Sequence, residues 1–157
     1  MIEIYFGAER TTGLMFVTIG ALAIGVAAWG WHQAGFWRGV AWPLAAVALI
    51  QIAVGVTMLW RSPKDSLRVQ QMLSQAPALI GDEEIPRMQT VMKAFETNRR
   101  IEIGLLLTGL LLFGLASRGS GWQGAGAGLA IQAGLVLFLD ILAARRGLVY
   151  LDWLRTL

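Results

Sequence analysis

Four stretches of this chain, residues 11 to 37, 39 to 60, 103 to 117 and 119 to 139, contain no Asp, Glu, Lys or Arg. A helix needs roughly 20 mostly apolar residues to cross the hydrocarbon of a bilayer, so these runs read as membrane crossings. The expected fold is all-α: a four-span transmembrane helical bundle forming one membrane domain over residues 1–157, with spans at about 11–31, 40–60, 101–118 and 122–143. Between the second and third spans lies an insert of about residues 61–100 that is too charged to cross. With 56% hydrophobic and only 15% charged residues, the chain is too apolar for an ordinary soluble domain of its length. The first span follows Glu3 and Glu9 rather than a basic stretch and lacks a good small-x-small cleavage site, so it is expected to remain as a helix. The absence of cysteine excludes disulfides and thiolate metal sites.

Basic residues set the expected orientation. If both termini and the insert face the cytoplasm, eleven of the thirteen Lys and Arg lie inside, and only Arg38 and Arg118 lie outside. Such a bias is the positive-inside pattern of an inner-membrane protein. The net charge of +3 then reflects topology, and no nucleic-acid partner is expected. Trp29, Trp31, Trp37, Trp42 and Trp122 cluster around the two outer connections, while Trp60, Tyr150 and Trp153 mark the inner boundary, as amphipathic rings prefer the headgroup level.

Sliding the chain against itself by 89 positions superposes Gly20, Gly25, Gly30, Gly35 and Gly39 on Gly109, Gly114, Gly119, Gly124 and Gly128. This register predicts two helical hairpins entering from the cytoplasm, related by an axis along the membrane normal as in parallel-repeat folds. Gly124 and Gly128 alone have the i, i+4 spacing that lets helix backbones approach closely, and packing within the chain's own bundle accounts for it.

The insert reads as a helical hairpin in water. Ser62 and Pro63 open a first helix over about 63–76, which Pro77 stops. Asp82, Glu83 and Glu84 favour a second helix start, and no breaker intervenes before Arg118, so one long helix is expected from about 85 to 117. Met72, Met88, Val91, Met92 and Phe95 form an apolar stripe, a candidate surface for a protein partner because methionine adapts to varied surfaces. The competing reading is that the two insert helices bury this stripe against each other.

Polar residues within spans are costly unless they face protein or water. Gln51 and Gln132 fall near the middles of the second and fourth spans, where a hydrogen bond between them would tie the helices together. Asp140 is ambiguous: hydropathy sets it near the inner boundary, whereas the 89-residue slide aligns it with Gln51 at mid-membrane. At the shallow depth it joins Glu9, Arg10, Arg99, Arg100, Glu102, Arg145 and Arg146 in an expected charge-paired ring at the inner ends of the helices. Its sharper role would be a proton or cation site shared with Gln51 or Glu102.

Enzyme chemistry has little footing. His32 is the single histidine, no nucleophile-elbow, phosphate-loop or zinc-helix motif occurs, and no cofactor or metal is expected. The expected function is that of a non-catalytic membrane protein acting through protein–protein contacts of its insert and bundle surface, in an accessory, assembly or immunity-type role. The alternative is a small oligomeric proton- or cation-linked transporter using Asp140. The expected partners are the lipid bilayer and either a second protein or further copies of the chain.

Overall fold

The computed structural model describes residues 1–157. It contains four helices, α1 (Ile2–Trp31), α2 (Phe36–Gln75), α3 (Ile85–Leu115) and α4 (Gly121–Leu154), with a wide π-helical turn at Ile80–Glu84 leading into α3. There are no strands. Helices α1, α2 and α4 are each long and apolar enough to cross a membrane, and no more than a third of the most apolar window of each is buried inside the protein. Apolar side chains such as Leu22, Ile50 and Phe138 therefore face outward, which suits a lipid surrounding and would be unfavourable in water. Within α3, Arg99, Arg100 and Glu102 leave only residues 103 to 115 uncharged before the helix ends. That stretch is about 20 Å long at 1.5 Å per residue, against roughly 30 Å of hydrocarbon.

The first two helices pack through small residues. Along α1 the buried positions Gly13, Phe16, Gly20, Ala23, Ala27 and Gly30 recur at alternating intervals of three and four, and along α2 Ala41, Ala48, Gly55, Ser62 and Val69 recur every seven. This is the period of a left-handed helix pair, and glycine at the contacts brings the backbones together. A Cβ placed on Gly13 would stand 2.9 Å from the Gly55 carbonyl oxygen.

The heptad seam explains why α2 runs on through Pro63, where the sequence suggested a new helix. Proline removes one hydrogen bond and crowds the preceding turn, but Pro63 is exposed while Ser62 and Val69 on the seam are buried. Tertiary packing overrides the local break. Ser62, read as a helix opener, instead donates from Oγ to Glu9 Oε2 at 2.6 Å, fastening α2 to α1.

Each hairpin turns on a glycine with left-handed backbone, Gly35 at φ 57° and Gly119 at φ 74°. Ser120 caps α4 by accepting from the Gln123 backbone N–H, while Gln123 Oε1 accepts from Gly119 N. These turn glycines lie 84 positions apart, so the 89-residue slide does not describe the geometry. Gly30, which it superposes on Gly119, is buried in α1 against Trp37, whereas Gly119 lies in a turn. Gln51, which it matches to Asp140, faces Gln132 instead.

The hairpins meet along α2 and α4, giving the lateral order α1, α2, α4, α3, with slighter contact between α1 and α4. At this seam Gly39 faces the Gly121 carbonyl, Gly124 faces the Phe36 carbonyl, and Gly128 faces Val40 and Pro43. The other end of the molecule is a compact cap. Ile2 and Phe6 of α1, Val69 of α2, Ile80, Met88 of α3, and Tyr150, Leu151 and Leu154 of α4 form its core. Both chain termini and the insert thus lie at one end of the bundle.

Candidate functional site

Glu84 is fully buried in the cap, although in sequence it belongs to an acidic run that suits a helix start. It lies on one helical face with Ile80 and Met88, four residues before and after it, and that apolar spacing was the available signal. Its carboxylate accepts from Arg68 Nη2 at 2.8 Å, from Arg87 Nε and Nη2 at 2.8 and 2.6 Å, and from the Tyr150 hydroxyl at 3.3 Å. Asp65 stands within 3.9 Å of both arginines. One carboxylate therefore joins α2, α3 and α4. Tyr5 of α1 completes the assembly by stacking on Tyr150 at 4.2 Å, with its hydroxyl 3.8 Å from Met88 Sδ.

The charge states follow from these contacts. Burial works to lower the Arg87 pKa, but the Glu84 hydrogen bonds and charge outweigh it and hold the guanidinium above its ordinary value. Burial, then the Glu84 charge, raises the Tyr150 phenol, which stays protonated and donates. Burial likewise raises Tyr5, with Glu9 adding to it.

An open cleft of about 460 Å³ runs between the two hairpins just beyond the cap. Glu9, Asp65 and Arg87 border its polar end, and Phe16, Met58 and Phe95 its apolar wall. Of the predicted methionine stripe, only Val91 and Phe95 line this cleft. Met88 is fully buried and Met72 and Met92 pack against the same core. The stripe is therefore mostly consumed by the cap itself, since burying those side chains there removes them from water without a partner.

The predicted ring of charges is not assembled. Arg146 donates to the Ala8 carbonyl at 3.2 Å and to Thr12 Oγ1 at 2.7 Å, tying α4 to α1, and Arg100 pairs with Glu96 on the surface of α3. Arg10, Arg99 and Arg145 are exposed and make no ion pair. Long arginine side chains at this end have water in reach, so pairing gains them little. Glu102 is buried, with Oε2 lacking a donor, and its carboxyl group faces that of Asp140. Asp140 follows Gln132 by eight residues along α4, about 12 Å, so it lies well toward the cap from the level of the glutamine pair. At that level Gln132 Nε2 donates to Gln51 Oε1, both side chains being buried.

Glu9 supplies a pH-dependent test of the α1–α2 contact. Burial raises its pKa, opposed by the Ser62 hydrogen bond. A carboxyl raised on folding contributes stability that is complete below its unfolded value and lost as pH climbs through its folded one. Glu9→Gln keeps an acceptor for Ser62 without the charge. The variant is expected to melt higher than the parent at about pH 8, with the difference vanishing at about pH 4. A difference that does not change with pH contradicts this account.

No protein-family model matches the chain, and neither a curated protein nor a solved structure matches it.

Proposed function

We propose that this chain is a non-catalytic multi-pass protein of the inner membrane that acts by binding another protein, in an accessory, assembly or immunity-type role. In this reading all four helices cross the bilayer as two hairpins, the third span being residues 101–118 at the end of α3 and just past it, with both termini and the cap in the cytoplasm. Eleven of thirteen basic residues on the cap side support that orientation. The tryptophan levels support the crossing. Trp42 packs against Trp31 at one end of α2, and Trp60, under Lys64, lies eighteen residues on, about 27 Å and close to one hydrocarbon thickness.

The open flank of α3 carries the partner reading. Between residues 103 and 115 only Gly109 is buried, because α3 packs on α4 and makes no comparable contact with α1 or α2. Leu107, Leu111 and Leu115 are 55%, 63% and 84% exposed, and a Cβ on Gly104 would meet nothing. A short uncharged stretch is poorly matched to lipid on its own, and a second helix seated beside Gly104 and Thr108 can approach closely. With the methionine stripe largely consumed by the cap, this reading assigns the partner to this flank and to the rim at Val91 and Phe95.

One observation favours a second reading, a proton- or cation-linked transporter. Two facing carboxyl groups, Glu102 and Asp140, have no Lys or Arg paired to either, and like charges so placed repel unless something positive lies between them. Affinity purification in mild detergent, with flux into liposomes, separates the two. A stoichiometric membrane protein that is lost in Thr108→Trp, with the chain's own melting unchanged, supports the partner reading. A lone oligomer that moves protons or cations into vesicles, and ceases to in Asp140→Asn, rejects it in favour of transport.

A further inference from the structure

A second cleft, of about 490 Å³, opens on the outer side of the α3–α4 pair next to the cap. Lys93 and Arg99 reach it from α3, six residues apart and so on either flank of the cleft-facing side, and Arg145 reaches it from α4. All three are exposed, and none takes part in an ion pair or donates a side-chain hydrogen bond. Two carboxylates, Glu96 and Asp140, share the cleft wall. Glu96 is bonded to Arg100 at 2.6 Å, and Asp140 faces Glu102. The three cations thus outnumber the two carboxylates on the cleft wall and pair with neither, leaving an excess of positive charge for an anion to complement.

The cleft is also anchored to an apolar track. Ile141 and Leu148 belong to its wall, and Phe138 and Ile131, each 60% exposed, continue from Ile141 along the same side of α4 into its uncharged stretch. Positive charge at one end and an exposed hydrocarbon path leading from it match an amphiphile with an anionic head. Basic pockets between membrane helices hold acidic headgroups for this reason.

We infer that the α3–α4 cleft binds an anionic phospholipid, its phosphate held among Lys93, Arg99 and Arg145 and one acyl chain lying along Ile141, Phe138 and Ile131. The inference stands apart from the protein-partner reading, since it uses the opposite end of α3 and needs only a bilayer. A soluble phosphate would satisfy the cations equally, but it would leave the apolar track unused.

The whole chain, purified in mild detergent, is titrated with phosphatidylglycerol, with phosphatidylcholine and with inorganic phosphate, and bound lipid is counted by native mass spectrometry. Phosphatidylglycerol is expected to bind in preference to phosphatidylcholine and to survive millimolar inorganic phosphate. Replacing the three cations together, Lys93→Gln, Arg99→Gln and Arg145→Gln, is expected to weaken that binding about a hundred-fold, since each basic group near an anionic surface contributes about one further factor of five. The charge-retaining set Lys93→Arg, Arg99→Lys and Arg145→Lys is expected to keep the preference. Neutralising Arg38 and Arg118 at the far end should leave it intact. Equal binding of the two lipids, or displacement by inorganic phosphate, overturns the assignment, as does an unchanged preference in the neutral variant.

Discussion

Glu84→Ala is expected to lower the unfolding free energy by about 3 kcal/mol, because removing one partner from a buried ionic cluster leaves its remaining charges uncompensated. The carboxylate it deletes is wholly inaccessible, and it accepts four hydrogen bonds from Arg68, Arg87 and Tyr150. The loss falls at the low end of the range for buried pairs because Arg68 and Arg87 keep 37% and 23% of their side-chain surface and can turn toward water. Asp65 compensates the two arginines in part, its oxygens lying 3.8 to 3.9 Å from three guanidinium groups, which also keeps the loss at that low end. Thermal unfolding in detergent measures the effect. Converting Glu84, Arg68 and Arg87 together to leucine or methionine should recover most of the loss, as apolar replacement of whole buried clusters often does. A loss below about 1 kcal/mol for Glu84→Ala would show that water already reaches the site.

Gly128→Leu is expected to be at least as damaging, and by a different route. Its Cβ would stand 2.6 Å from the Val40 carbonyl oxygen and 3.2 Å from the Pro43 ring, and backbone cannot move aside as a side chain can. Overpacking of this kind costs about 1–3 kcal/mol and more where two helices must separate. Separation here would also part Gln51 from Gln132, one turn further along α4, leaving two buried amides without partners. Gly124→Leu should behave in the same way, its Cβ falling on the Phe36 carbonyl. Gly114→Leu is the control. It adds the same side chain to a position with open space around it, and should leave the melting temperature unchanged or slightly raised. Equal melting of the Gly114 and Gly128 variants would mean that the two hairpins are not docked through these glycines.

Much of the helical architecture was legible because lipid as solvent imposes simple rules on composition. The three longest apolar helices, the long helix beginning near residue 85 and the polar insert between the hairpins follow from charge-free runs and breakers alone. What escaped was set by contacts between distant segments. Pro63 and Ser62 look like a boundary to any local reading, yet the seven-residue recurrence of small residues from Ala41 to Val69 continues across them and decides the outcome. The five-residue steps between glycines suggest an 89-residue register, whereas the packing period of the α1–α2 seam is seven. Glu84 escaped because an acidic run before a helix has a sufficient local explanation, and only the positions of Arg68 and Tyr150 in space give it another. The expected ring of charges failed for the opposite reason: residues at similar depth need not share an azimuth around the bundle.

The uninterrupted course of α2 has a mechanical consequence. At 1.5 Å per residue its forty residues reach about 60 Å, from the tryptophan-rich turn into the cap, as one continuous helix that carries Pro43 and Pro63 within it. A lean of a few degrees imposed on the membrane portion displaces the far tip, near Gln75, by several ångströms, and the Glu84 cluster drags α3 and α4 with it. A sideways load on the apolar part of α2 would in that way reach the polar cap through the helix that the two share.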